Sequence, residues 1–178
     1  MRALAAVLGL SLVLASPVPA SAQPMDGMSK SQVTLMRAEA GMAWIEATRG
    51  EPTRTCAEGM TTCLVNWQIN SIYTCPKGGR IITSGTITGT IEGNNLMTEQ
   101  LSGTVTQTIT NWRCVKGWVV NGDPYINILY EQTGFSSTQK ITGGWKAVGP
   151  KKVKQSCQLR GTESNTRYIC KPGGTWRQ

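Results

Sequence analysis

The hydrophobic period of the chain changes once, from a helical spacing to a strand-like alternation. Near the N-terminus, apolar residues recur every three to four positions: Val33, Met36, Ala40, Ala43 and Trp44. This spacing predicts a short amphipathic helix over Lys30–Ile45, which the turn sequence Gly50-Glu51-Pro52 ends. From Leu64 onward Thr, Ile, Val and Tyr dominate instead, and Gly, Pro and Asn clusters recur between them.

That second pattern is typical of short antiparallel strands joined by tight turns. The predicted strands are Val65–Cys75, Arg80–Glu92, Leu96–Arg113, Tyr125–Gln132, Ser137–Ala147, Val153–Arg160 and Arg167–Cys170. We therefore expect a mostly β fold, either an antiparallel β-sandwich or a partly closed β-barrel, with a short N-terminal helix and disulfide bonds. A single domain over residues 30–178 is expected, since a chain of this length supports one core.

The cross-strand pairing of the hairpin that begins at Arg80 can also be predicted. A loop at Gly93-Asn94-Asn95 pairs Ile91 with Met97 and Gly89 with Glu99. One face then carries the apolar residues and glycines: Ile81, Gly85, Ile87, Gly89, Ile91, Met97, Leu101, Gly103, Val105 and Ile109. The other face carries hydroxyl groups: Ser84, Thr86, Thr88, Thr90, Thr98, Ser102, Thr104 and Thr106. A one-residue slip would mix the two faces, so the pattern excludes it.

The N-terminus and the cysteines point to export. Residues Met1–Ala22 have a charged start, an apolar run from Ala3 to Ala15 and a small-residue exit, the pattern of a signal peptide cleaved before Gln23. The apolar run is shorter than the roughly 20 residues of a membrane-spanning helix. Residues 23–29 are predicted to be a disordered leader. The expected location is secreted, either periplasmic or extracellular, in a bacterium.

All six cysteines lie after the predicted cleavage site, and an even number suits an oxidising compartment. Nearest-neighbour pairing is predicted: Cys56 with Cys63, Cys75 with Cys114, and Cys157 with Cys170. Paired cysteines and the absence of histidine from the sequence argue against a metal site and against Ser-His or Cys-His catalysis. We expect neither a metal nor a cofactor.

The positive charge is concentrated at the C-terminal end. Residues 23–139 contain 8 Lys and Arg against 9 Asp and Glu, whereas residues 140–178 contain 9 against Glu163 alone. The predicted binding residues in this segment are Lys146, Lys151, Lys152, Lys154, Arg160 and Arg167, with Trp145 and Trp176 as interleaved aromatics. Cations beside aromatics suit an anionic partner. For an exported protein, that partner is an anionic polysaccharide or surface rather than a nucleic acid.

Two other functions compete with a non-catalytic binding module. Glu99 and Glu131 are the weak candidates for a carboxylate-dependent carbohydrate-active enzyme, because paired carboxylates hydrolyse glycosides. A curved sheet could also enclose an apolar lumen lined by Trp67, Trp112 and Trp118 and carry a small molecule. The binding module is the preferred interpretation, and an enzyme is not favoured.

Overall fold

The computed structural model describes residues 27–93, 95–122 and 125–177, without the side chains of Leu96 and Trp176. Helix α1 spans Lys30–Ala47 and precedes every strand. The strands are β1 Thr53–Cys56, β2 Thr62–Thr74, β3 Arg80–Glu92, β4 Asn95–Thr110, β5 Val119–Asn121, β6 Ile126–Thr133, β7 Ser136–Val148, β8 Lys154–Thr162, β9 Asn165–Lys171 and β10 Thr175–Arg177. A 3-10 turn at Pro150–Lys152 separates β7 from β8. The predicted strands are all present, and the short strands β1, β5 and β10 were not predicted.

Helix α1 is fixed by a capping box at its start and a buried apolar face. The Ser29 hydroxyl accepts a hydrogen bond from the Gln32 amide, and the Gln32 side chain accepts one from the Ser29 amide at 2.9 Å. The helix ends where the Thr48 amide donates to the Trp44 carbonyl at 3.0 Å. Four of the five predicted residues are buried, Val33, Met36, Ala40 and Ala43, and Trp44 is partly buried against the core.

The residues just before α1 differ from the predicted disordered leader. Met28 is 2% exposed, and its amide donates to the Gln155 side chain at 3.2 Å. Burial of a large apolar side chain fixes this segment against β8, so the packed part of the chain begins inside residues 23–29. The predicted signal peptide and residues 23–26 lie outside the described residues.

All strands belong to one antiparallel sheet, with the order β1-β2-β3-β4-β6-β7-β8-β9-β10 and with β5 paired to the end of β7. The sheet is not closed into a barrel. The predicted class is confirmed: mostly β, antiparallel, one helix and three disulfides. The helix, rather than a second sheet, covers the inner face. Among the described residues, no helix has the length and apolar character needed to cross a membrane.

The sheet curls around α1. The Gln107 side chain of β4 donates to the Ala40 carbonyl at 2.8 Å, and the Arg37 guanidinium donates to the Glu163 carbonyl in the turn between β8 and β9. In a flat sheet, β4 and β8 would lie about 14 Å apart, because neighbouring strands are about 4.8 Å apart. Trp44 of α1 also packs against the core cluster that includes Val65 of β2, and β2 and β8 would lie about 24 Å apart in a flat sheet. A helix is only about 10 Å across with its side chains, so contacts over this width indicate a curved sheet.

The β3–β4 register differs from the prediction by two residues. Ile81 pairs with Ile109 and Gly89 with Leu101, and the pairing shifts between Thr90 and Glu92. A shift of two keeps every residue on its predicted face, which is why the apolar and hydroxyl faces are confirmed. Met97 is the exception: it lies beyond the shift and is 68% exposed.

Glycines on the inner face let β3 and β4 approach closely. Gly89 lies between Val65 and Leu101 of its two neighbouring strands. A Cβ at Gly89 would lie 1.7 Å from the Gln100 carbonyl oxygen, so no side chain fits there without moving backbone. Gly103, opposite Ile87, would place a Cβ 2.2 Å from the Thr86 carbonyl oxygen. Across the sheet, glycines therefore lie opposite large aliphatic side chains, an arrangement that allows strong curvature.

The predicted disulfides are all formed: Cys56–Cys63, Cys75–Cys114 and Cys157–Cys170. The first joins β1 to β2 and the last joins β8 to β9, each between directly paired positions. Cys75 and Cys114 follow β2 and β4 instead, and they are 39 residues apart. Closing a loop of that length contributes roughly 4 kcal/mol in the chain-entropy account.

Candidate functional site

The outer face of the sheet carries a row of polar residues, one from each of eight strands. Each member is the direct cross-strand partner of the next, from β2 to β10: Asn70, Ser84, Thr106, Asn127, Thr142, Arg160, Arg167 and Arg177. We call this the polar row. At about 4.8 Å per strand it runs roughly 34 Å along the sheet. It is a continuous band on the curved outer face, with hydroxyl and amide groups at one end and cations at the other.

Three neighbouring cations end the polar row. Arg160, Arg167 and Arg177, which we call the arginine triad, pair directly across β8, β9 and β10, and all three are exposed. Glu163, in the turn between β8 and β9, is the one acidic residue of this C-terminal segment. Like charges directly opposite each other on a sheet are destabilising. An anionic partner would remove that repulsion.

The predicted lysines extend this basic surface along the strands. Lys146 of β7 pairs with Ser156, and Ser156 pairs with Lys171 of β9. Lys154, also exposed, begins β8. Along an extended strand, Lys154 is about 20 Å from Arg160. The predicted cations therefore share the outer face but form an elongated surface rather than one cluster.

Lys151 and Lys152 lie at the end of this surface, in the 3-10 turn before β8. Both are exposed, and both have left-handed backbone, with φ of 54° and 61°. The left-handed conformation is unfavourable for residues with a Cβ. Both side chains therefore reach solvent at this end of the basic surface.

The two predicted aromatics do not join the basic surface. Trp145 is fully buried on the inner face, where its ring centroid is 6.2 Å from that of Tyr168. Alternation along β7 explains this, because Lys146 and Trp145 are consecutive and must point to opposite faces. Trp145 therefore lies away from the basic surface, contrary to its prediction as a binding residue. Trp176 pairs with Tyr168 through its backbone, and its side chain lies outside the described residues.

The predicted carboxylate pair is not assembled. Glu99 is 7% exposed on the inner face, where its carboxylate accepts a hydrogen bond from the Gln132 amide at 2.9 Å. Glu131 is on the outer face and forms an ion pair with Lys140 at 3.6 Å. Because the two side chains are on opposite faces of the sheet, they cannot flank one glycosidic bond, as glycoside hydrolysis requires.

The tryptophans predicted to line a lumen are part of the packed interior. Trp112 is fully buried and stacks on Tyr73 with ring centroids 5.6 Å apart, and Trp118 is 6% exposed in the same core. Trp67 packs against a second core cluster on β2, β3, β4 and β6. The structure instead has a groove beside α1, which these three residues do not line.

The residues of the basic surface that the sequence did not predict can be recognised only from the cross-strand register. Lys171 and Arg177 belong to the basic segment by sequence, but only the pairing of β8, β9 and β10 aligns Arg177 with the other two arginines. The alternation of β8 and β9 could have indicated that Arg160 and Arg167 share a face. Strand β10 is too short to show an alternation, so the position of Arg177 beside Arg167 could not be predicted.

Comparison of the chain with protein-family models, with curated proteins and with solved structures finds no match. Within the described ranges, no group of three or more Cys, Asp and Glu side chains could hold a metal ion.

Proposed function

We propose that this protein is an exported, non-catalytic binding module that holds a linear anionic polysaccharide on the outer face of its sheet. The arginine triad at the end of the polar row carries this proposal. Three guanidinium groups on directly paired strand positions repel one another, and a polymer of carboxylate or sulfate groups would turn that repulsion into attraction.

The shape of the row favours a polymer over a small anion. Arginine forms bidentate hydrogen bonds with planar and tetrahedral anions, and hydroxyl and amide groups exchange hydrogen bonds with sugar hydroxyls. The two kinds of group follow each other along one path of about 34 Å on the curved outer face, several sugar units long. In the neutral part, the Thr106 hydroxyl donates to the Asn127 side chain at 3.2 Å, so these groups lie within reach of one another.

A nucleic acid fits this face less well. Single-stranded nucleic acids are held by stacking on aromatic side chains as well as by charge. Among the described side chains of the basic surface, none is aromatic, because Trp145 and Tyr168 point inward. The three disulfides agree with an oxidising compartment, and the predicted signal peptide would deliver the chain to the periplasm or the medium.

The proposal is tested by comparing two triple variants that lose the same charge. R160Q/R167Q/R177Q removes the triad, and K30Q/R54Q/K77Q removes three exposed cations elsewhere. Binding to heparin, a sulfated polysaccharide, is measured by titration at several salt concentrations. We expect the first variant to bind heparin at least about tenfold more weakly than the parent protein. Its log K should also fall less steeply with log salt, with the magnitude of the slope reduced by about 2, or 0.7 for each lost contact. The second should stay within about threefold of the parent protein.

Neutral dextran serves as the uncharged control polymer and should not bind. Equal weakening of heparin binding by both triple variants would mean that net charge alone drives retention, which overturns the proposal. Equal binding of heparin and dextran would also overturn it.

A further inference from the structure

A groove runs between α1 and the inner face of the C-terminal strands. Its cavity volume is about 270 Å³. Residues of α1, among them Arg37, Ala38 and Gly41, form one wall. The opposite wall is mainly aliphatic and comes from β6, β7 and β8: Ile126, Ile128, Ile141 and Leu159. Gln107, Gln139, Glu163 and Tyr168 complete the lining. The groove is on the opposite side of the sheet from the polar row.

Small residues of α1 keep this groove open. Gly41 lies in the middle of the helix, where glycine is about 1 kcal/mol less favourable than alanine. A Cβ at Gly41 would meet no atom within 4 Å, so no neighbouring atom requires glycine here. One turn earlier, Ala38 is also small and lines the same groove. The helix stripe facing the groove therefore leaves apolar sheet surface uncovered.

The groove contains a buried hydrogen-bond donor that has no partner. Tyr168 is 4% exposed, and within the described residues its hydroxyl makes no hydrogen bond. The nearby Thr166 hydroxyl donates instead to the Thr162 carbonyl. Burial raises the pKa of Tyr168 to about 12, although the Arg37 cation and the Thr166 side chain lower it. The hydroxyl therefore keeps its proton at neutral pH, and it lies close to a positive charge.

We propose that the groove binds a small aliphatic monocarboxylate. Its chain lies on Ile128, Ile141 and Leu159, and its carboxylate pairs with the Arg37 guanidinium. The Tyr168 side chain, whose hydroxyl is enclosed in the structure, moves to donate a hydrogen bond to the same carboxylate. An unsatisfied buried donor is unfavourable, and a ligand oxygen satisfies it. Arg37 supplies the complementary charge, while Glu163, whose carbonyl it contacts, opposes it from the rim.

The volume limits the length of the ligand. A water molecule occupies about 30 Å³ of liquid, so this groove has room for on the order of ten non-hydrogen atoms. Octanoate has that size and carries a single carboxylate. Octan-1-ol is its matched uncharged analogue.

The test titrates the mature protein with octanoate and with octan-1-ol by calorimetry. We expect octanoate to bind at one site, about tenfold more tightly than the alcohol. R37Q should bring the two affinities close together, and E163Q should raise the octanoate affinity about threefold by removing the opposing carboxylate. Both residues lie at the rim, so these variants are expected to fold.

Two glycine substitutions distinguish filling of the groove from loss of structure. Gly41→Leu should fill the groove and reduce octanoate binding at least tenfold, while Gly50→Leu, at an equally open glycine outside the groove, should bind like the parent protein. Absence of octanoate binding to the parent protein, or unchanged binding in Gly41→Leu, overturns the proposal. Equal octanoate and octan-1-ol affinities in the parent protein would overturn the assignment of the carboxylate to Arg37 and Tyr168. The heparin experiment is independent of these outcomes, because it tests the other face.

Discussion

The two halves of the sheet show the same alternation of inner and outer residues, but they differ in the residue types that each face carries. In the N-terminal half, β1–β4, the outer face is neutral and rich in hydroxyl and amide groups, and the inner face interlocks glycines with aliphatic side chains. In the C-terminal half, β7–β10, the outer face is basic, and the inner face combines buried aromatics with an open groove. The first half is arranged for close packing, and the second half retains unfavourable features.

Those unfavourable features are the better guide to function. Neighbouring arginines, a buried tyrosine hydroxyl without a partner and a mid-helix glycine each reduce stability. None of them is needed to form the sheet, because the N-terminal half forms the same kind of strand pairing without them. The comparison therefore places the close glycine packing in β1–β4, and the cationic end of the proposed binding row and the wall of the proposed groove in the C-terminal strands.

The largest expected effect concerns the packing half. Gly89→Ala places a Cβ 1.7 Å from the backbone oxygen of Gln100, so the two strands must separate. We expect the free energy of unfolding to fall by about 3 kcal/mol or more, as for severe overpacking. Gly41→Ala, in the open groove, should instead raise it by up to about 1 kcal/mol. Urea unfolding of both variants checks this, and similar values for the two would contradict the interlocking described for β3 and β4.

An intermediate effect concerns the pH dependence of stability. The pKa of Tyr168 is raised by burial from 10.0 to about 12 in the folded protein, so folding favours the neutral hydroxyl. The resulting stability is complete below pH 10 and is lost as the pH rises from 10 towards 12. Tyr168→Phe should remove this part of the pH dependence, which thermal unfolding between pH 8 and 12 would measure.

Tyr73 is the comparison residue for that experiment. Burial, with Glu39 nearby, also raises its pKa, but Tyr73 is only partly buried against the core. Tyr73→Phe should therefore change the alkaline profile less than Tyr168→Phe. A larger change from Tyr73→Phe would contradict the assignment of Tyr168 as the most strongly perturbed tyrosine.

The smallest expected effect concerns the arginine triad. Arg167 lies between Arg160 and Arg177, so Arg167→Thr should raise the free energy of unfolding by a few tenths of a kcal/mol at low salt. The gain should shrink as salt screens the repulsion. Arg54→Thr, an exposed strand position opposite Val65, should give no such gain. Chemical unfolding at two ionic strengths decides this, and a loss of stability in Arg167→Thr would show that the triad is not mutually repulsive.

Much of the fold could be predicted from local pattern. The alternation of apolar and polar residues gave the faces of β3 and β4, and cysteine order gave the disulfides. The β3–β4 register was wrong by two residues, because a shift of two leaves both faces unchanged and the alternation cannot detect it. As a result, Leu101 rather than Glu99 lies opposite Gly89.

The candidate sites were less predictable, because they depend on placement between distant segments. Alternation within β7 could have excluded Trp145 from the basic surface, since its neighbour Lys146 is exposed. The groove could not have been found this way. It requires the position of Arg37 and Gly41 against strands more than 80 residues later in the chain, which no local period encodes.

The order of the disulfides has a consequence for biogenesis. The first, third and fifth cysteines are each bonded to the next one along the chain: Cys56 to Cys63, Cys75 to Cys114, and Cys157 to Cys170. A chain that enters an oxidising compartment N-terminus first presents its thiols in that same order. Each new pair can therefore be oxidised as it arrives, and the native connectivity forms without any later exchange of partners.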